Sequence, residues 1–379
     1  MYDGLEVDHK WAVEVAADLA ALAAANRATL RADNRDGRFP AELYAEMGRR
    51  GWVGPTSPVA LGGLGGGVAE YCVIAEEVGR TGLVSPQISV QGQRWLADWG
   101  TDLQKERYLG PMARGELIFS ESISEPGVGS SLKLMQATAT PDGDDWILDG
   151  TKCHVNLGHQ SELTLFYAMA PSGLTAFLVD TDLPGFTSEQ TSPVGLRLIP
   201  TADMHFDGVR VPSSAVLGSP GHGMDTFFST FNISRLGNAS ELIGFGRRAL
   251  AEAVAYARER SVGAGVVTDF QGIQWTLADR FAALYGAALA RNQAANVAVA
   301  GDDPGVATSL AKKMAIEASE AAVGEAYALI GGHGLYHDTD FATLLLDAKV
   351  LRIAGGSLEV LRNHVARSIL KSDDLLGLA

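Results

Sequence analysis

Cysteine is nearly absent from these 379 residues, with only Cys72 and Cys153 present. Two thiols so far apart build neither a disulfide framework nor a thiolate metal cage, which fits a reducing cytoplasm. Positive charge is also scarce, 30 Lys and Arg against 45 Asp and Glu, for a formal net charge of −15. Such a surface repels polyanions, so nucleic acid is not expected as a partner, and a phosphate-bearing ligand needs a local cationic pocket. No run approaches the roughly 18 apolar residues of a membrane span, and the chain opens on Asp3, Glu6 and Asp8 rather than a basic leader. Neither membrane nor export is expected. Repeats, low-complexity tracts and a Walker sequence are missing too. The run Gly62-Gly63-Leu64-Gly65-Gly66-Gly67 has no strand before it and no βαβ unit around it, so it reads as a surface loop rather than a dinucleotide site.

What is present is a compact globular chain, 46% apolar, long enough for two or three packed units. Residues 8 to about 115 carry helical spacing, as in Trp11, Val15, Leu19 and Leu22, and Pro40 stands at a helix start. Between Leu117 and Val216 the pattern shortens to strand-like runs, Trp146-Ile147-Leu148, Leu163 to Ala168 and Thr175 to Val179, split by turns such as Pro141-Asp142-Gly143-Asp144 and Pro184-Gly185. After Gly221 the long period returns. Ile233, Leu236, Ile243, Leu250 and Val254 form one stripe, Phe270 to Ala288 a second, and further helices span Gly305–Ile330 and Phe341–Ile353 and begin near Ser357. The expected division is helices over 1–116, a β domain over 117–220 and a helical bundle over 221–379, an α+β order.

The segment Ser120 to Ser131, S-E-S-I-S-E-P-G-V-G-S-S, is a strand running into a glycine turn, which exposes backbone N–H groups and hydroxyls to an anionic or polar ligand. On spacing alone, an ordinary strand-to-turn transition is the better explanation. The segment resembles the T-E-P-x-x-G-S-D signature of the acyl-CoA dehydrogenase family, and five further landmarks follow in that family's order. They are Asp149-Gly150-Thr151-Lys152, Phe206-Asp207-Gly208-Val209-Arg210-Val211-Pro212, Arg260 with Phe270-Gln271, Gly331-Gly332-His333-Gly334, and Asp347-Ala348-Lys349.

The resemblance implies an N-terminal helical domain, a middle β-barrel or sandwich domain and a C-terminal four-helix bundle, with FAD between sheet and bundle. Carried over by position, Ile123, Ser124, Gly129, Ser130, His154 and Asn156 would meet the cofactor. So would Gly332, Ser357 and Glu359. Arg260 and Gln271 would serve a neighbouring subunit's FAD in a homodimer or homotetramer, a guanidinium suiting the pyrophosphate. Ser130, Phe231 and Arg235 would line the thioester channel. The implied substrate is an acyl thioester of CoA or of a carrier protein, with electron-transfer flavoprotein, a flavin reductase or oxygen as redox partner.

The same positions show where the pattern breaks. Family members remove the substrate α-proton with a glutamate at one of two places, and here those places hold Gly355 and Ser234. A hydroxyl is a far weaker base than a carboxylate unless activated. The flavin-facing positions hold His154 and Asn156, the aspartate of G-S-D is Ser131, Val262-Gly263 follows Arg260, and Ala328 precedes the glycine turn. His154 is the substitution that could donate, accept or relay a proton. Glu121 and Glu359 are the carboxylates nearest in sequence to the two flavin-facing loops. Three activities fit this pattern, in order: an acyl-thioester oxidoreductase with a relocated base; a flavin monooxygenase, which needs no α-proton base; and a base-less subunit of a hetero-oligomer.

Overall fold

The computed structural model describes residues 1–129, 131–336, 340–372 and 375. Helix α1 (His9–Ala25) starts on Asp8, whose carboxylate accepts from the N–H groups of Lys10 and Trp11, and buries the stripe Ala12, Val15, Leu19 and Ala23. Helix α2 (Arg27–Asp36) stops at Gly37, which adopts the left-handed conformation of a helix terminus. Helix α3 (Ala41–Arg49) follows Pro40. The glycine run at 62–67 is a loop from a 3₁₀ turn (Val59–Leu61) into helix α4 (Val68–Thr81), with no strand before it. Helices α5 (Gln87–Trp99) and α6 (Asp102–Ala113) complete the first helical layer.

The strands are β1 (Phe119–Ser122), β2 (Thr138–Asp142), β3 (Asp145–Asn156), β4 (Leu163–Ala170), β5 (Gly173–Asp180), β6 (Phe186–Gln190) and β7 (Thr201–Pro212). They pair in the order β1-β4-β2-β3-β7-β6, with β5 added to β4. The β1–β4 pairing is parallel, so the chain leaves β1 through a long loop before β2 and β3 form their hairpin. That loop carries the sequence from Ile123 to Gln136. The sheet core is apolar, with the Phe166 and Phe206 rings 4.0 Å apart. Burying each such side chain contributes about 1.5–3 kcal/mol.

Beyond the sheet come α7 (Gly223–Ser229), α8 (Phe231–Glu259), a short hairpin of β8 (Ser261–Val262) and β9 (Gly265–Val266), α9 (Gln271–Val299), α10 (Gly305–Ile330), α11 (Phe341–Ile353) and α12 (Leu358–Ile369). Helices, then sheet, then helices is the α+β arrangement expected.

Helix α8 is the spine of the molecule, packing on α4 on one side and on α9 and α10 on the other. Its approach to α4 depends on missing side chains. A Cβ on Gly79 would lie 2.4 Å from the Glu241 carbonyl oxygen, and one on Gly244 would lie 2.2 Å from that of Glu76. With no side chain to hold the helices apart, their backbones touch. The crossing buries Glu76 completely, and Arg291 on α9, equally buried, donates to it at 2.6 Å, while Arg247 also pairs with it. A carboxylate so enclosed stays charged because two guanidiniums compensate it.

Candidate active site

The loop after β1 is held down by a buried ion pair. Glu125 accepts from the backbone N–H groups of Gln136 (2.7 Å) and Ala137 (3.0 Å) and from Lys152 Nζ on β3 (2.8 Å). Lys152 also donates to the Ile123 carbonyl at 3.2 Å and lies 5.1 Å from the centre of the Phe166 ring. Burial opposes the charge on both partners. The lysine and the two N–H groups nonetheless hold Glu125 below the usual carboxylate range, whereas burial brings Lys152 down to about 8. The pair joins the Glu-Pro of one landmark to the lysine of another.

Beside this clamp the Cys153 N–H donates to the Ser124 carbonyl at 2.9 Å. The β3–β7 register then shifts, and His154 bulges out with φ +58° and an exposed ring. A β-bulge of this kind re-aims a side chain out of the ladder. Ile123, Ser124 and Asn156 are half-buried near the same edge, while Gly129 is exposed, and a Cβ there would meet nothing within 4 Å. Ser130 lies outside the described residues.

A second cluster lies where α8 and α10 meet the turn between α11 and α12. Gly355 has φ +66°, and a Cβ built on it would stand 2.5 Å from Asn238 Nδ2, 2.9 Å from Ser234 Oγ and 3.4 Å from Lys312 Nζ. The two positions expected to supply a base are therefore neighbours, and the space between them is filled by polar groups. Lys312 on α10, fully buried, donates to the carbonyls of Ala354 and of Gly356 (3.0 Å). Burial, assisted by the Arg235 charge, lowers it to about 7. Gln87 of α5 donates to Ser234 Oγ at 3.3 Å. Arg235 is 7% exposed, its guanidinium 5.4 Å from the centre of the Phe231 ring, and its buried Nε has no hydrogen-bond partner among the described residues. Burial lowers its proton affinity too. Two basic side chains thus meet in this buried region, and the charge on Arg235 opposes a charge on Lys312.

The remaining predicted residues stand elsewhere. Gly332 is exposed in the 3₁₀ turn Gly331–Leu335. Ser357 caps α12 by accepting from the Val360 N–H, with Glu359 exposed in the first turn and 3.5 Å from Arg352. Arg260 and Gln271 are exposed at the far end of α8. Twenty-five residues separate Arg260 from Arg235, ~37 Å along a helix.

Sequence reasoning missed Lys312, Asn238, Gln87 and the Glu125–Lys152 pair. Lys312 had a signal: Thr308, Ala311, Ala315 and Ser319 share its buried stripe on α10, so a lysine stands where the period demands a small or apolar residue.

Three family models match, describing the acyl-CoA dehydrogenase N-terminal domain over residues 8–116, middle domain over 120–209 and C-terminal domain over 221–370. The chain belongs to the acyl-CoA dehydrogenase family. It is 32% identical to the Bos taurus mitochondrial short-chain specific acyl-CoA dehydrogenase over 89% of this chain and 85% of that one. It is also 32% identical to a Clostridium sporogenes 3-(aryl)acrylate reductase, covering 89% and 92%. The structure of butyryl-CoA dehydrogenase from Megasphaera elsdenii superposes with a TM-score of 0.88 at 26% identity, over 94% of this chain and 98% of that one. As a family member the chain is an acyl-CoA dehydrogenase-like flavin oxidoreductase.

One landmark titrates in an unusual direction. Asp347 accepts from the Leu196 N–H at 2.6 Å, yet burial raises its carboxyl to about 7 against the pull of that N–H and of Arg248. Between its unfolded value of 3.8 and about 7, the folded chain holds a proton that the unfolded chain has released. Stability from this group is complete below that window and is lost as pH rises through it, by about 1.4 kcal/mol per pH unit at most. Asp347→Asn should remove that slope from the unfolding free energy measured in urea between pH 4.5 and 7, on the order of the range where the group titrates. An unchanged slope would place the proton elsewhere.

Proposed function

We propose that the chain is an oxidoreductase of acyl thioesters, carried on CoA or a carrier protein, in which no glutamate handles the α-proton. The cofactor is FAD. The observation that carries this reading is Arg235, a buried guanidinium that follows Ser234 on α8, acts on Lys312, and has an Nε with no partner among the described residues. An uncompensated charge in such a place is costly unless a ligand oxygen completes its bonding. A thioester carbonyl or an amide of the pantetheine arm supplies that acceptor.

The residues suit the cofactor. The open loop at Gly129, the exposed His154 bulge and the half-buried Ser124 and Asn156 would face the ring. When bound, FAD supplies the acceptor or donor of a hydride at the acyl β-carbon. The protein's part is to hold the thioester, exclude water and manage the proton at the α-carbon. The ~37 Å of α8 between Arg235 and Arg260 supports assigning Arg260 and Gln271 to a second subunit's cofactor. A half-exposed apolar run on α9, with Trp275 at 61% and Phe281 at 55%, supports a homo-oligomer, which native mass measurement tests.

Titration of the flavin absorbance with saturated acyl-CoA and acyl-phosphopantetheine ligands, from short to long chains, tests the reading. Saturable perturbation by at least one ligand is expected. No perturbation by any of them would remove the thioester from the account.

A further inference from the structure

Taking the thioester reading as its basis, we propose that Lys312 is the group that exchanges a proton with the substrate α-carbon. Nζ lies 3.4 Å from where a Gly355 side chain would begin, and that point is also 2.9 Å from Ser234 Oγ. Lys312 Nζ and Ser234 Oγ therefore border the same point, the one from which a Gly355 side chain would start. The carboxylate expected there is missing at Gly355, and at Ser234 only a hydroxyl stands.

A lysine this deeply buried is ordinarily paired with a carboxylate. Lys312 donates instead to two main-chain carbonyls, of Ala354 and Gly356, which orient the nitrogen without fixing its charge. The charge that acts on it is Arg235 from α8; His364 of α12 bonds Ser309 Oγ at 2.7 Å, three residues before Lys312 on α10, and is itself influenced by Arg235 and by Asp303. Arg235 favours the neutral amine, and burial favours it more. An amine poised near neutrality is matched to general acid–base work.

In the oxidative direction the α C–H bond breaks and its proton goes to the Nζ lone pair. The electron pair left on the α-carbon would form the second bond to the β-carbon, and FAD, when bound, would supply the acceptor for the β-hydrogen and its electron pair. In the reductive direction the ammonium returns the proton. Arg235 is placed to steady the negative charge that develops on the thioester oxygen.

Proton exchange at the α-carbon needs no net oxidation, so it can be read apart from turnover. The thioester that perturbs the flavin most is incubated with FAD-loaded protein in deuterium oxide, and α-deuterium is followed by mass spectrometry. The wild-type rate should rise with pH through about 7 as Lys312 loses its proton. Lys312→Arg keeps donors for the two carbonyls but holds its proton, and should lower the rate about 10²–10⁴-fold while the flavin spectrum and thioester affinity persist. Lys312→Ala should be equally slow and regain exchange when small primary amines are added. Exchange at the wild-type rate in folded, FAD-loaded Lys312→Arg would overturn the proposal, as would loss on Glu121→Gln in its place. Wild-type protein that binds thioester without exchanging it also overturns this proposal and leaves the thioester reading standing. Failure of binding itself overturns both.

Discussion

Glu125→Gln should lower the free energy of unfolding by about 3–5 kcal/mol, the cost of leaving a buried charge without its partner. Lys152 is fully buried, and its other contacts are a carbonyl and an aromatic face. Loss of the carboxylate also frees the N–H groups of Gln136 and Ala137 from a charged acceptor. The loop after β1 then loses its ion pair to β3, keeping only the Cys153–Ser124 and Lys152–Ile123 hydrogen bonds, and FAD should bind more weakly in step. Lys152→Met should cost a similar amount, but the double variant less than the sum, because neither charge is left behind. Urea unfolding at pH 7 of the single and double variants measures this. Full additivity would show that the pair does not act as a unit. The direction with pH is set by the depressed Glu125 carboxyl: its contribution is present above the unfolded carboxylate value and lost as pH falls through the folded one.

Arg235→Met should do the opposite to stability and harm function. The guanidinium is buried with an unpartnered Nε, and burial already lowers its proton affinity. Replacing it with an apolar side chain of similar length removes an uncompensated charge, and unfolding should become harder by about 1–3 kcal/mol. Thioester affinity should fall by 2 kcal/mol or more, about thirty-fold, because a bond made only to ligand is gone. A structural arginine behaves differently, losing stability when removed. Thermal unfolding and ligand titration on the same preparation separate the two: a destabilised variant with unchanged affinity contradicts the assignment.

Much of the fold was legible in the residues themselves. The stripes over Gly305–Ile330 and Phe341–Ile353 coincide with α10 and α11, because a helix that buries one face must repeat apolar residues at its own period. Ser357 was readable as a cap, and the glycine run at 62–67 as a loop, because both follow from local hydrogen bonding. The contacts that make the site were not legible. Lys312 and Gly355 are 43 residues apart, and nothing local says that α10 delivers an ammonium to the turn after α11. Likewise Glu125 and Lys152 each belong to a readable motif, but their pairing depends on the register of β3 against the loop. The bulge at His154 arises from a register shift between β3 and β7, which composition cannot display.

The central claim, a flavin oxidoreductase of acyl thioesters without the glutamate base, is tested most directly by the visible spectrum of the purified protein during anaerobic thioester addition. The account predicts a yellow protein whose oxidised flavin band bleaches with at least one CoA- or carrier-linked acyl thioester, or re-forms from the reduced state with the matching enoyl thioester. A yellow protein that responds to none of them in either direction would contradict it.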